Sequence, residues 1–280
     1  MATSLDRARP ATRNRTCRYP RTYPRGRPSR SRFDGVARWV LISFRPTISV
    51  ESGPVQSTSS TLRFALLITL ASGFLDSYTF LVRGGVFANV QTANVILMGI
   101  GLSDRHWSAA LLHLWPILAF LLGVTLAVHI KSGRVDHLLN HPIRWTVGFQ
   151  ALVLAAVGFV PTSVPHTYVT VPIAFCTAMT ITMFRSIGDL GYFAVATTGN
   201  LMHMIEYGYA ASIDKRAEAL SAFSTYAKVA GTFAAGALIG AVATQLFDAH
   251  AVWLAAGLLA VTLVFFVVDQ RRAEHEADSP

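Results

Sequence analysis

Charge is scarce in this chain. Of its 280 residues only 14% are Asp, Glu, Lys or Arg, while 52% are hydrophobic; a soluble domain carries roughly a quarter charged residues. The mean hydropathy of +0.43 likewise departs from an ordinary soluble domain. Cysteine is scarce too. Cys17 and Cys176 are the two present, which excludes a disulfide framework. No HExxH and no GxSxG occurs, and no paired cysteines accompany the nine histidines. His137 and His141 are four apart, but in a basic loop beside Pro142. The expectation is a protein that is not an enzyme, with no metal and no cofactor.

The net charge of +9 suggests a nucleic-acid partner until it is located. Residues 1–58 contain twelve Arg, no Lys and only Asp6, Asp34 and Glu51 as acids, and so carry all of the +9; residues 59–280 balance to zero. A hydrophobic neutral body with a basic tail argues for a lipid bilayer as partner, not nucleic acid. The tail is rich in Arg, Pro, Ser and Thr and is expected to be disordered. Its one apolar run, residues 36–44, is interrupted by Arg38 and too short to span. Three readings stand: a cytoplasmic tail drawn to anionic lipid, a targeting segment, or upstream sequence from a misassigned start.

What is present is a duplication. Gly85, Phe87, Ala88, Thr92, Asn94 and Met98 recur as Gly191, Phe193, Ala194, Thr198, Asn200 and Met204, 106 residues later. Segments 64–82, 108–130, 143–160, 168–187, 217–246 and 251–268 are each about long enough to cross ~30 Å of hydrocarbon as helices. Segments 86–102 and 192–210 are apolar but carry Asn89, Gln91, Thr92 and Asn94, or Thr197, Thr198, Asn200, His203 and Glu206. If all eight cross, the loop cations divide five against five. If the two polar segments turn back, eight lie inside and Arg83 and Arg105 outside. The positive-inside rule therefore predicts six spans with both termini cytoplasmic. The expected fold is all-α: a polytopic bundle of six spans plus two polar re-entrant or broken segments. Residues 1–58 form the tail, 59–165 and 166–272 two repeats, and 273–280 a cytoplasmic tail. Three crossings per repeat make the repeats inverted, a transporter-like arrangement in which the polar segments meet near the midplane around one wet compartment. Gly84-Gly85 and Gly188/Gly191 permit the sharp turns this needs.

Ala71-Ser72-Gly73-Phe74-Leu75-Asp76-Ser77, then Gly84-Gly85-Val86-Phe87, then Thr92-Ala93-Asn94 resembles the signature of the YoaK-like family of bacterial multi-pass membrane proteins, roughly A-G-x-x-D-A, G-G-V-F and S/T-G-N. The resemblance covers about 64–270. Ser72, Ala93 and Thr180-Ile181-Thr182 depart from the family pattern. The resemblance implies a bacterial cytoplasmic (inner) membrane location and no established activity.

Candidate site residues are those whose chemistry is costly in lipid. Asp76 falls near the centre of the first span, where a carboxylate costs about 2.5–3.5 kcal/mol on insertion scales. It is either a proton or cation site, or a structural group bonded to the Gly84-Gly85 turn or to Arg83. Lys228, about 16 Å into the segment starting at Ala217, either snorkels or offsets Asp76 or an anionic solute. Asn94 and Asn200, with Thr92 and Thr198, are uncharged groups suited to a polar solute or ion, or to helix-to-helix hydrogen bonds. Gln91 and Glu206 break the symmetry. Gly236 and Gly240 form a GxxxG face for an internal neighbour or a homodimer. The functional expectation is a small-solute transporter or permease, proton-coupled through Asp76; the alternative is a structural or regulatory membrane protein.

Overall fold

The computed structural model describes residues 58–132, 142–192, 194, 195 and 197–277. The basic tail with Cys17, the His137/His141 pair, Phe193 of the repeated motif and the last three residues lie outside the described residues.

Among the described residues, long apolar stretches bounded by Gly, Pro and charged turns form eight α-helices. These are α1 (Thr58–Val82), α2 (Gln91–Ser103), α3 (Trp107–Lys131), α4 (Pro142–Val157), α5 (Thr167–Met183), α6 (Thr197–Ser212), α7 (Ala217–Phe247) and α8 (Val252–Ala277). A 3-10 turn, Asp248–Ala251, separates α7 from α8, and a two-residue hairpin, β1 (Ser186–Ile187) with β2 (Leu190–Gly191), follows α5. Leu62–Val82, Trp107–Lys131 and Ala217–Arg272 are long and apolar enough to cross a membrane; the last comprises α7 and α8. At 16 and 17 residues, α4 and α5 are apolar but shorter than the roughly 20 residues a perpendicular span requires.

The outer surface of the bundle is apolar, unlike that of a soluble protein, and its largely apolar core also holds polar side chains. Leu121, Leu122, Leu152, Leu238, Val264 and Phe265 face outward, while Thr69, Thr79, Asp76, Arg83, Asn89, Asn94, Gln150 and Thr177 are buried. Such a surface suits lipid, where backbone groups are satisfied within helices and polar side chains turn inward. The most extensive packing joins α1 to α7 and α3 to α5; α2 lies on α3, α6 on α7, α4 on α5 and α8, and α8 on α1.

Glycine sets the two closest approaches. A Cβ at Gly236 would meet the Leu70 carbonyl of α1, and one at Gly240 would lie 2.6 Å from the Phe74 carbonyl oxygen. Gly123 of α3 is equally tight against the Phe175 carbonyl of α5. The GxxxG face is thus packed against α1 within the chain, the internal neighbour that was one of its two expected partners. Small residues serve here as in other membrane helix pairs, by letting backbones touch.

Candidate functional site

The helix breaks after α1 because Arg83 is followed by two glycines in left-handed conformation, Gly84 (φ 82°) and Gly85 (φ 72°). From there residues 85–90 run back along α1 before α2 begins. Side chains of α1 and α2 satisfy this non-helical backbone, as burial requires. The Asn89 backbone N–H donates to Asp76 Oδ1 (2.8 Å), and Asn89 Nδ2 donates to the Ser72 carbonyl (2.9 Å). The Ala88 N–H donates to Thr79 Oγ1 (3.2 Å). Asn94 closes the loop on itself. It accepts from the Phe87 N–H (3.1 Å) and donates to the Phe87 carbonyl (2.7 Å) and Gln91 Oε1 (3.0 Å). His113 Nδ1 of α3 lies 3.4 Å from Asn94 Oδ1.

Two acceptors in this knot have no donor. Asp76 Oδ2 and Asn89 Oδ1 are both buried and unpartnered. Asp76, 4% exposed, lines a cavity of about 260 Å³ whose other walls include Phe87 and Val90 beside α2 and Phe233 and Ala237 of α7.

The second break differs in detail. Gly188 (φ 58°) makes the hairpin turn, whereas Gly191 sits in β2 opposite Ser186; the expectation of a turn at Gly191 is corrected. Tyr192, at the repeat position of Val86, is fully buried as Val86 is. Its hydroxyl donates to the Ala65 carbonyl (2.8 Å) and meets Thr69 Oγ1 (2.8 Å). Tyr226 of α7 donates to the Gly191 carbonyl (2.7 Å).

Sequence-selected residues divide clearly. Asp76, Gln91 and Asn94 gather in the first knot. Asn200 is buried at the matching place of the second half, while Thr92 and Thr198 are both exposed. The halves agree in this: Asn200 is the one buried residue of α6, and α2 buries Asn94 with Gly101. The structure does not bring the two polar helices onto one shared compartment. They share no extended interface, α2 lying on α3 and α6 on α7. The physical reason is that α2 turns its one polar inward group, Asn94, onto its own entry loop and presents Val95, Ile96 and Ile100 outward. Asp76 pairs with neither proposed cation. Lys228 is exposed and lines a different crevice, about 14 Å along α7 from Ala237 at 1.5 Å per residue.

Arg83 is a residue that the sequence placed among the outside loop cations or as a partner for Asp76. It is fully buried, its Nη2 and Nη1 donating to the carbonyls of Val160 (2.8 Å) and Pro161 (3.3 Å), and its Nε to the Tyr78 hydroxyl (3.0 Å). Tyr78 in turn donates to the Ala249 carbonyl (3.0 Å). One guanidinium and one phenol thus tie the end of α1 to the ends of α4 and α7. At the opposite end a crevice of about 940 Å³ opens between the β-hairpin, α6 and the start of α7, lined by Asp189, Tyr207, Arg216, Glu218, Ser221 and Lys228.

Comparison with known proteins fits this architecture. A family model described as "Protein of unknown function (DUF1275)" matches residues 64–265. The UPF0700 transmembrane protein YoaK of Bacillus subtilis (strain 168) is 22% identical over 143 residues, covering 50% of this chain and 64% of that protein's length. No solved structure matches. The match over most of its length puts this chain in the DUF1275 family, as a membrane protein built of apolar helices.

Proposed function

We propose that the chain is a small-solute transporter or permease of the bacterial cytoplasmic membrane, with six spans in two inverted repeats and both termini cytoplasmic. One observation carries the reading: each half interrupts its helical path once, and the half-helix that follows returns toward the end it came from. Antiparallel contacts support both returns. In the first half Gly101 meets Ala110 while Asn94 meets His113. In the second, Gly208 meets Phe223 and His203 and Tyr207 lie against Tyr226. Both return turns pass through a cation in left-handed conformation, Arg105 (φ 58°) and Lys215 (φ 54°).

Helix directions support six crossings. Gly236 against Leu70 and Gly240 against Phe74 make α7 parallel to α1. Arg83 on Val160 brings the ends of α1 and α4 together. Gly84 against His166 and Leu112 brings the starts of α5 and α3 to that same end. Phe64 against Phe266 carries α8 back. The pairings α1–α7, α1–α8 and α2–α3 correspond to α5–α3, α5–α4 and α6–α7 under the 106-residue shift. Broken helices in inverted repeats are the usual architecture of secondary transporters. A bundle latched at the Arg83 end and open in a 940 Å³ crevice at the other has the form of a carrier caught facing one side.

The test is flux. Purified protein in liposomes, loaded with a panel of small polar solutes and a pH-sensitive dye, is expected to show solute-dependent uptake or exchange that empty liposomes lack. Absence of flux across the panel contradicts the reading. It favours instead a structural or regulatory membrane protein, the alternative supported by Asn94, whose side chain closes its own hairpin and meets His113 of α3.

A further inference from the structure

We propose that Asp76 and Asn89 form a binding site for a single positive charge, taken up as a proton or as a sodium ion. Binding itself stands apart from transport; only the role of that charge in coupling rests on the carrier reading.

The argument starts from the two orphan oxygens. Asp76 Oδ1 is satisfied by the Asn89 N–H, and Asp76 Oδ2 and Asn89 Oδ1 are acceptors without a donor. An ionised carboxylate at this depth is costly unless a cation accompanies it. Among the described residues, the elements packed around it supply none. The cavity wall contributed by α1 is Asp76, Ser77, Phe80 and Leu81, that of the entry to α2 is Phe87 and Val90, and that of α7 is Phe233, Ala237 and Ala241. Arg83, about two turns further along α1, is held by Val160, Pro161 and Tyr78. The missing charge therefore comes from solution. A proton on Oδ2 turns that oxygen into a donor and leaves Asn89 Oδ1 as the acceptor it lacks. A sodium ion takes Asp76 Oδ2 as a hard ligand together with Asn89 Oδ1, on the residue whose N–H already meets Asp76, and water in the 260 Å³ cavity that Asp76 lines completes the shell. Both sources deliver one positive charge to the same pair.

Asp76→Asn is the discriminating variant because it imitates the occupied site: its amide oxygen still accepts from the Asn89 N–H, and its NH2 donates where a proton would. Thermal unfolding of the purified full-length protein in detergent, followed by tryptophan fluorescence, is measured across pH 5–9 in choline chloride and again with sodium chloride. If the charge is a proton, the native melting temperature rises as pH falls, since the folded state alone holds the proton, and sodium has no effect. If it is sodium, the melting temperature at high pH rises with sodium and not with choline. Asp76→Asn abolishes whichever response the native protein shows, and Asp76→Glu retains it. The proposal is overturned if the native protein responds to neither, or if Asp76→Asn responds as the native protein does. Should Asp76→Asn fail to fold, the infrared stretching band of a protonated carboxyl, or sodium-23 relaxation on the native protein, decides the same point: absence of both overturns it. Loss of these responses with solute flux intact removes the site and leaves the carrier; the converse removes the carrier and leaves the site.

Discussion

Gly236→Val is expected to abolish the folded bundle, whereas Gly231→Ala on the same helix is expected to leave it intact or slightly more stable. A Cβ at Gly236 meets the backbone carbonyl of Leu70, while at Gly231 nothing lies within 4 Å. Ordinary overpacking costs about 1–3 kcal/mol because side chains shift. Here two helix backbones would have to separate, along the most extensive interface of the molecule, and Gly240 against Phe74 would separate with them. The cost should exceed that range. Gly231→Ala removes only a flexible residue from a helix, worth up to about 1 kcal/mol in favour of the variant. Detergent-solubilised yield and melting temperature report both; equal behaviour of the two variants would contradict the packing described for α1 and α7.

Arg83→Met is the second large effect. The methionine fills much of the same space, so the loss isolates hydrogen bonding. The carbonyls of Val160 and Pro161 and the Tyr78 hydroxyl lose their donor together. Leaving buried polar groups unpaired costs about 1–3 kcal/mol each, and removing a desolvated charge returns part of it. A net loss of roughly 2–5 kcal/mol is expected. Arg83→Lys should rescue little, since one ammonium does not reproduce a planar fork reaching three acceptors. Pro161→Cys in the Arg83→Met background should react faster with a water-soluble maleimide than in the native background. A melting temperature and a labelling rate unchanged from native would mean that the latch holds nothing.

Much of this was legible in the chain. Scarce charge and long apolar runs foretold helices with an apolar outer surface, and the Gly84-Gly85 pair foretold the first break. Asn94 and Asn200, set at matching places of the recurring motif, are both buried. What was not legible depends on which surfaces meet. Asn94 reads equally well as facing a solute or its own loop, and only the position of Phe87 decides. Arg83, at the end of an apolar run, reads as an outside loop cation or a partner for Asp76; its burial depends on Val160 and Pro161, nearly eighty residues away. The partners of Asp76 were sought at the Gly84-Gly85 turn, Arg83 and Lys228, whereas its bond is to the backbone of Asn89, whose type gives no signal of that role. A hint was available at Tyr192: a tyrosine replacing Val86 at a matched position needs a partner for its hydroxyl, and Ala65 supplies it.

The re-entrant path of residues 84–103 is the claim on which the rest turns, and sidedness tests it most directly. Single cysteines at Arg105, Pro161, Ser132 and Asp214, in the cysteine-free background Cys17→Ser with Cys176→Ala, are labelled in right-side-out and inverted bacterial membrane vesicles with a membrane-impermeant maleimide. The account predicts that Arg105 and Pro161 label from outside and Ser132 and Asp214 from the cytoplasm. Labelling of Arg105 from the cytoplasmic side, opposite Pro161, would mean that α2 crosses the bilayer, and would contradict it.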